Sequence, residues 1–319
     1  MDISVVVRGR EDGSGPDEIL RLASVADALG FEELWIGEGP TWDAFVLATA
    51  VGLATRDSSL TVGPVPVSVR DPATISRGAA SVASVTGRTV GIALGTASVR
   101  VVEKLHGRSR RRAVTDLRES AHAIRSLIDA PPDARLQHDP DADFLRRLPS
   151  PDGPLTVAAF GHRAIQVAAD LADRMLLDLV TREQVAILRS KLDYASNSRP
   201  RPRLAAWLPA AVEPTDDGLR VVSESVAGYL TIAGYREMFI QAGFEEAVER
   251  AESGASPSQL IEALPDDAPR RVGLVGNRNE VAESLQAYAD AGLDEVAVVP
   301  VLAGDPNGEK TLRAVRTLL

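Results

Sequence analysis

Glu33-Leu34-Trp35-Ile36-Gly37-Glu38-Gly39 is a short apolar run that ends on an acidic residue and a glycine. A helix-like stretch precedes it at 16–29 and another follows at 42–55, so the run reads as a strand between crossover helices. The same alternation recurs through most of the chain. Strands are expected near 3–8, 33–38, 60–69, 89–96, 155–159, 174–180, 203–212 and 294–300. Helices are expected near 16–29, 42–55, 72–86, 112–129, 162–173, 182–194, 277–291 and 306–318. Several strands are near-continuous apolar runs, as in parallel sheets covered on both faces. Asn277 with Glu280 three residues on predicts a capping box at one helix start, and Gly292 suits its C-terminal cap.

Eight strands, each with a following helix, make an α/β chain whose economical closure is a (β/α)8 barrel, also called a TIM barrel. An open doubly wound sheet is the alternative, but no Gly-x-Gly-x-x-Gly follows the first strand. The 319 residues suit one barrel domain spanning 1–319. Two stretches stand outside the repeat and read as insertions after strands four and seven. Residues 130–153 form a proline-rich loop, and residues 213–271 hold extra helices suited to a lid or a dimer element.

Composition narrows the function. The net charge of −10 argues against general binding to nucleic acid or an anionic membrane. With no cysteine, the chain has no disulfide, thiolate metal site or cysteine nucleophile. His106, His122, His138 and His162 lack metal-ligand spacing, so no metal site is expected. No basic leader or membrane-length apolar run is present, and a cytoplasmic location is expected. Lysine occurs only at 104, 191 and 310, whereas arginine is abundant. That usage is common in GC-rich genomes and lowers the weight of any single arginine.

In a barrel the reacting groups sit at the carboxyl ends of the strands. Those ends are Arg8-Gly9, Glu38-Gly39, Pro64-Val65-Pro66, Gly95-Thr96, Phe160-Gly161-His162, Val180-Thr181, Ala210 and Val301. No carboxylate pair, catalytic lysine or metal cage appears among them. A redox cofactor that carries its own reactive atom asks less of the protein.

The succession Glu33 to Trp42, Val62-Gly63-Pro64-Val65-Pro66-Val67-Ser68-Val69-Arg70-Asp71-Pro72-Ala73 and Gly87-Arg88-Thr89-Val90-Gly91-Ile92-Ala93-Leu94-Gly95-Thr96 resembles the luciferase-like monooxygenase superfamily. Ala159-Phe160-Gly161-His162-Arg163, Ala172-Asp173 and Tyr288-Ala289-Asp290-Ala291-Gly292 continue the match. The branch it most resembles, abundant in actinobacteria, uses the deazaflavin coenzyme F420 for hydride transfer, and relatives are often homodimers. The resemblance implies a small-molecule oxidoreductase, with an FMN-dependent two-component monooxygenase or a non-catalytic cofactor-binding paralogue as alternatives.

It also implies places for the cofactor. A cis bond at Gly63–Pro64 would form the bulge behind the ring, and Trp42 would wall it. Gly39 and Thr96 stand at the ends of strands two and four. Gly161, His162 and Arg163 open a helix where the phosphate-bearing tail would bind, helped by Thr181. Arg108, Arg110, Arg111 and Arg112 could meet the tail's acidic groups, or simply be solvated. In the sugar-phosphate dehydrogenases of this branch a histidine and a glutamate do acid–base work, and the aligned residues here are Gly39 and Ser98. That activity does not carry over. Glu38, against the ring or a substrate hydroxyl, and His106, as proton donor, are the remaining catalytic candidates. The absence of that histidine and glutamate favours a reductase over an alcohol dehydrogenase.

Overall fold

The computed structural model describes residues 1–7, 15–129, 136–139, 144–147, 149–197, 199–232 and 234–318, with only the backbone at 136–139 and 144–147. The strand end expected at Arg8-Gly9 lies outside them.

Eight parallel strands close on themselves: β1 (Asp2–Val7), β2 (Glu33–Ile36), β3 (Ser59–Pro66), β4 (Val90–Gly95), β5 (Asp152–Ala158), β6 (Arg174–Asp178), β7 (Arg203–Val212) and β8 (Glu295–Pro300). Each pairs with the next in sequence, and β8 pairs back with β1 through Asp2↔Glu295 and Val5↔Val298. This is the barrel expected from the alternation. The strands at 33–38 and 60–69 are shorter than expected. Their last residues leave the ladder where the chain turns over the barrel rim.

The outer helices are α1 (Pro16–Ala28), α2 (Ala44–Ala54), α3 (Pro72–Thr86), α4 (Ala113–Ile128), α5 (His162–Leu171) and α6 (Arg182–Ser196). Their starts are written locally: Asp43 accepts from Phe45 N and Val46 N, and Asp71 accepts from Thr74 N ahead of Pro72. After β7 come α7 (Asp216–Ala227), α8 (Tyr235–Gln241), α9 (Glu245–Glu252), α10 (Pro257–Ala263) and α11 (Ala268–Arg271). A three-residue strand, Leu274–Gly276, then pairs beside β7, followed by α12 (Arg278–Asp290) and, after β8, α13 (Glu309–Arg316). Asn277 and Glu280 form the expected capping box. The stretch read as a proline-rich loop instead carries an antiparallel hairpin, Leu136–Asp139 with Phe144–Arg147, and β5 begins at Asp152.

Alternation along the strands divides the apolar side chains into two layers. One set packs outward under the helices. Val6, Trp35, Ala93, Leu176, Ala205, Trp207 and Ala297 fill the barrel interior, with Trp35 and Trp207 edge to face at 5.9 Å.

Beneath this layer the barrel floor is ionic. Arg174, the first residue of β6, is 2% exposed. Its Nη1 donates to Glu295 Oε2 (2.6 Å) and Glu33 Oε2 (2.8 Å), and its Nη2 to Glu33 Oε1 (2.7 Å) and Thr61 Oγ1 (3.1 Å). Nε donates to Thr156 Oγ1 (3.1 Å), so every edge of the guanidinium is used. Ser4 Oγ and Trp35 Nε1 donate to Glu295 Oε1, and the guanidinium carbon lies 4.1 Å from the Trp35 ring centre. One side chain thereby ties β1, β2, β3, β5, β6 and β8 together.

Arg174→Ala should leave two carboxylates facing each other without a cation in a buried place. The expected loss is about 3–5 kcal/mol, read as a lower denaturant midpoint. An unchanged midpoint would show that the network is not structural.

Candidate active site at the mouth of the barrel

At the opposite end the inward positions become small: Gly37 above Trp35, Gly95 above Ala93, and Ala158 above Thr156. Ala158, Asp178 and Val299 are partly exposed, whereas the interior layer below them is buried. Solvent therefore reaches the upper end of the barrel interior. Three residues within two positions of strand ends have left-handed backbones without being glycine: Ala97 (φ 49°), Leu179 (φ 51°) and Glu213 (φ 50°). Such conformations cost about 1–3 kcal/mol each and gather at functional sites.

The β3 wall is irregular, as expected. The pairing of β3 with β4 skips between Val62 and Val65, and the Gly63–Pro64 peptide is cis. Gly63 has φ 119°, and a Cβ there would lie 2.3 Å from the Ala93 carbonyl oxygen. Only glycine fits this approach.

Glu38 sits on the rim, but its carboxylate is engaged. Arg70 donates to Oε1 through Nη2 (2.7 Å) and Nε (3.1 Å), while Ala44 N donates to Oε2 (3.3 Å). Arg70 also reaches Asp43 Oδ2 (2.8 Å) and lies over the Phe45 ring. Burial works against its charge, but the two carboxylates overcome this and raise the Arg70 pKa. Glu38 is thus part of a clamp fixing the β2 and β3 ends. Gly39 is exposed on the same rim, and Trp42 is half-buried. Its indole Nε1 is buried and has no hydrogen-bond partner among the described residues.

The segment after β4 winds into a π-helical turn, Arg100–Leu105, with Ser98 Oγ accepting from Val101 N (3.3 Å). π-Turns concentrate at functional sites, and nothing in the residue pattern announced this one. His106 is exposed at its end. Of the arginine run, Arg110 folds back to the rim, donating to Ala97 O (2.7 Å) and Thr96 Oγ1 (3.1 Å). Arg112 instead pairs with Glu119, and Arg108 and Arg111 are exposed.

Gly161 precedes α5 with no side-chain cap, and nothing lies within 4 Å of where its Cβ would be. Gly161, His162 and Arg163 are all exposed. The first N–H groups of α5 face outward with the positive end of the helix dipole behind them. Thr181 is buried, and its hydroxyl accepts from Gln184 N in the capping box of α6.

Two residues at the mouth escaped the sequence reading. Asp178, last in β6, follows Arg174 and Leu176 on the inward face and is the acidic group of that face nearest the opening. Tyr235, at the start of α8, donates to Asp178 Oδ2 (3.2 Å) and packs against Phe160 (4.6 Å between ring centres) and Tyr229 (4.9 Å). Burial first, then the Asp178 charge, push the Tyr235 phenol well above its ordinary pKa. Period-two reading of β6 from Arg174 would have pointed Asp178 inward. Nothing local links it to Tyr235.

Among the described residues no group of three or more histidine, aspartate or glutamate side chains is arranged to hold a metal, and no helix is long and apolar enough to cross a membrane. The family described as luciferase-like monooxygenase matches residues 1–295. Among solved structures, the coenzyme F420-dependent tetrahydromethanopterin reductase from Methanopyrus kandleri superposes with a TM-score of 0.78 at 17% identity, covering 100% of this chain and 99% of that one. An F420-dependent secondary alcohol dehydrogenase bound to an F420–acetone adduct gives 0.77 at 14% identity, covering 100% and 98%. The oxygenating constituent of the Pseudomonas putida 3,6-diketocamphane monooxygenase, in complex with FMN, gives 0.67 at 14%, covering 99% and 97%. No curated protein sequence matches the chain.

Gly63→Ala should strain the backbone and drive its Cβ into the Ala93 carbonyl. We expect a loss of at least about 2 kcal/mol in a urea midpoint. A variant as stable as the parent would mean that the β3 bulge is loosely held.

Proposed function

Because the chain belongs to the luciferase-like monooxygenase family, we propose that it is a deazaflavin-dependent oxidoreductase acting on a small organic molecule, more as a reductase than as an alcohol dehydrogenase. The observation that carries this reading is the set of small inward positions at the barrel mouth. The upper inward positions are Gly37, Gly95 and Ala158, the β3 wall is bulged at Gly63–Pro64, and the half-buried Trp42 indole after β2 has no polar partner among the described residues. These features suit a flat heteroaromatic ring.

The β3 bulge would back the ring, Trp42 and Phe160 would wall it from water, and the uncapped start of α5 would take its phosphate. Arg110 on the rim adds a positive charge for an acidic tail. Bound there, a deazaflavin supplies a ring carbon that gives or accepts a hydride. The chain's own part is placement: the Glu38–Arg70–Asp43 clamp holds two strand ends still, and the outer side chains exclude solvent. Gly39 and Ser98 can move no proton, so chemistry that removes a hydroxyl proton at those positions is not available.

Titrating the purified protein with oxidised deazaflavin and, separately, with FMN tests this by ring fluorescence. Saturable quenching by the deazaflavin with none by FMN is expected. Saturation by FMN alone would favour a two-component monooxygenase, and saturation by neither would overturn both readings.

A further inference from the structure

We propose that Arg110 is a specificity-determining residue that receives the carboxylate of the substrate, which is therefore a small organic acid with an apolar body. The inference rests on the oxidoreductase reading above and names the substrate class of that same mouth.

Arg110 is set apart by its lack of a counter-ion. Every other described arginine that is not exposed has an aspartate or glutamate as ion-pair partner, except Arg88, which donates to Thr55 O at the opposite end of β4. Arg110 is half-buried, and its guanidinium is held by two neutral acceptors among the described residues. Its Nε donates to Ala97 O (2.7 Å) and its Nη2 to Thr96 Oγ1 (3.1 Å). Glu103, the only acid between 97 and 112, accepts from the backbone Arg110 N (3.3 Å) and not from the guanidinium. Neutral acceptors fix the plane of the fork and leave its charge uncompensated. The side edge is used. The end edge, Nη1 with the second hydrogen of Nη2, has no acceptor among the described residues. Two parallel N–H groups on a fixed guanidinium match the two oxygens of a carboxylate.

The fork stands at the barrel mouth, because both of its acceptors lie directly beyond β4 and the small inward Gly95. Ala97, whose left-handed φ of 49° turns the chain as it leaves the strand, offers the carbonyl that fixes Nε. The segment between Ala97 and Arg110 is closed on itself. The N–H groups of His106, Gly107 and Arg108 donate to the carbonyls of Val101, Glu103 and Val102, and Arg110 shuts the base. On this loop Val99 is 50% and Leu105 54% exposed, aliphatic surface that the chain's own packing leaves uncovered. An ordered cation and bare aliphatic side chains on one closed loop suit an apolar acid.

Electrostatics point the same way. The protein carries a net charge of −10, so an anion approaches where basic groups gather. Between 97 and 112 these are Arg100, Lys104 and the arginines at 108, 110, 111 and 112, against Glu103. Arg108 and Arg111 are exposed and attract any anion, the acidic tail of the cofactor included. Arg110 is the one that the rim orients for contact.

The test uses tiglate, a branched unsaturated acid, and its methyl ester, which keeps the carbon skeleton and loses the charge. Binding of each to protein saturated with oxidised deazaflavin is measured at equilibrium by saturation-transfer NMR on the ligand methyl groups. The parent is compared with Arg110→Gln, Arg110→Lys and Arg77→Gln; Arg77, exposed on α3, controls for the loss of one positive charge. Each variant is first checked for its thermal midpoint and for its affinity for coenzyme F420 and for tail-less deazariboflavin. We expect the parent to bind tiglate about tenfold or more tightly than the ester. Arg110→Gln should lose that preference while holding the ester and both rings within about twofold of the parent, and Arg110→Lys should keep part of it. Arg77→Gln should match the parent. A parent that binds acid and ester alike, or does not bind the acid, would overturn the substrate class and leave the oxidoreductase reading standing. So would a preference that survives in Arg110→Gln. A loss confined to F420, with deazariboflavin and tiglate unaffected, would assign the guanidinium to the cofactor's tail and overturn the proposal likewise. A parent that binds no ring would overturn the oxidoreductase reading, and this one with it.

Discussion

The buried guanidinium of Arg174 is the constraint from which the rest of the barrel follows. It meets two carboxylates and two hydroxyls from four other strands, with no donor left over. A cation in such a place is tolerated only when it is fully paired, so the strands that supply its partners must arrive in one register. Because side chains alternate along a strand, the choice made at the floor determines what points inward two and four residues higher. Glu33 sets Trp35 and then Gly37. Arg174 sets Leu176 and then Asp178. The mouth inherits its lining from the floor.

The two ends of the barrel are chemically opposite. At the floor, polar groups are buried and satisfied, which is the mark of a structural site. Above the floor, Trp207 in the interior layer and Trp42 after β2 keep indole N–H groups without partners among the described residues, and three strand ends carry left-handed non-glycine backbones. Unsatisfied donors and local strain persist where something other than self-packing has shaped the chain. The inserted helices after β7 belong to this end as well, since α8 places Tyr235 against Asp178 and Phe160.

Much of the fold was legible in the sequence because its determinants are local. Apolar strands separated by helices gave the barrel order and Asn277 with Glu280 gave a helix start, whereas the bulge at Gly63–Pro64 was expected only from the family resemblance. The site was less legible because its key contacts are distant in sequence. Arg174 was indistinguishable among many arginines until its partners at 33 and 295 were brought to it. Glu38 looked available until Arg70, 32 residues away, was seen to hold it. Asp178 and Tyr235 lie 57 residues apart, on a strand and an insertion that no local pattern relates. The π-turn after β4 and the hairpin before β5 were missed for a different reason: short irregular elements carry little periodicity.

The central claim is that a flat redox ring lies across the barrel mouth with its phosphate at the start of α5. Diffraction from crystals of the protein grown with oxidised deazaflavin addresses it directly. The account predicts density for the ring between the Gly63–Pro64 bulge and Trp42, above Asp178, with the phosphate against the backbone of Gly161–Arg163. A ring bound elsewhere, or a mouth filled by the protein's own side chains at saturating deazaflavin, would contradict it.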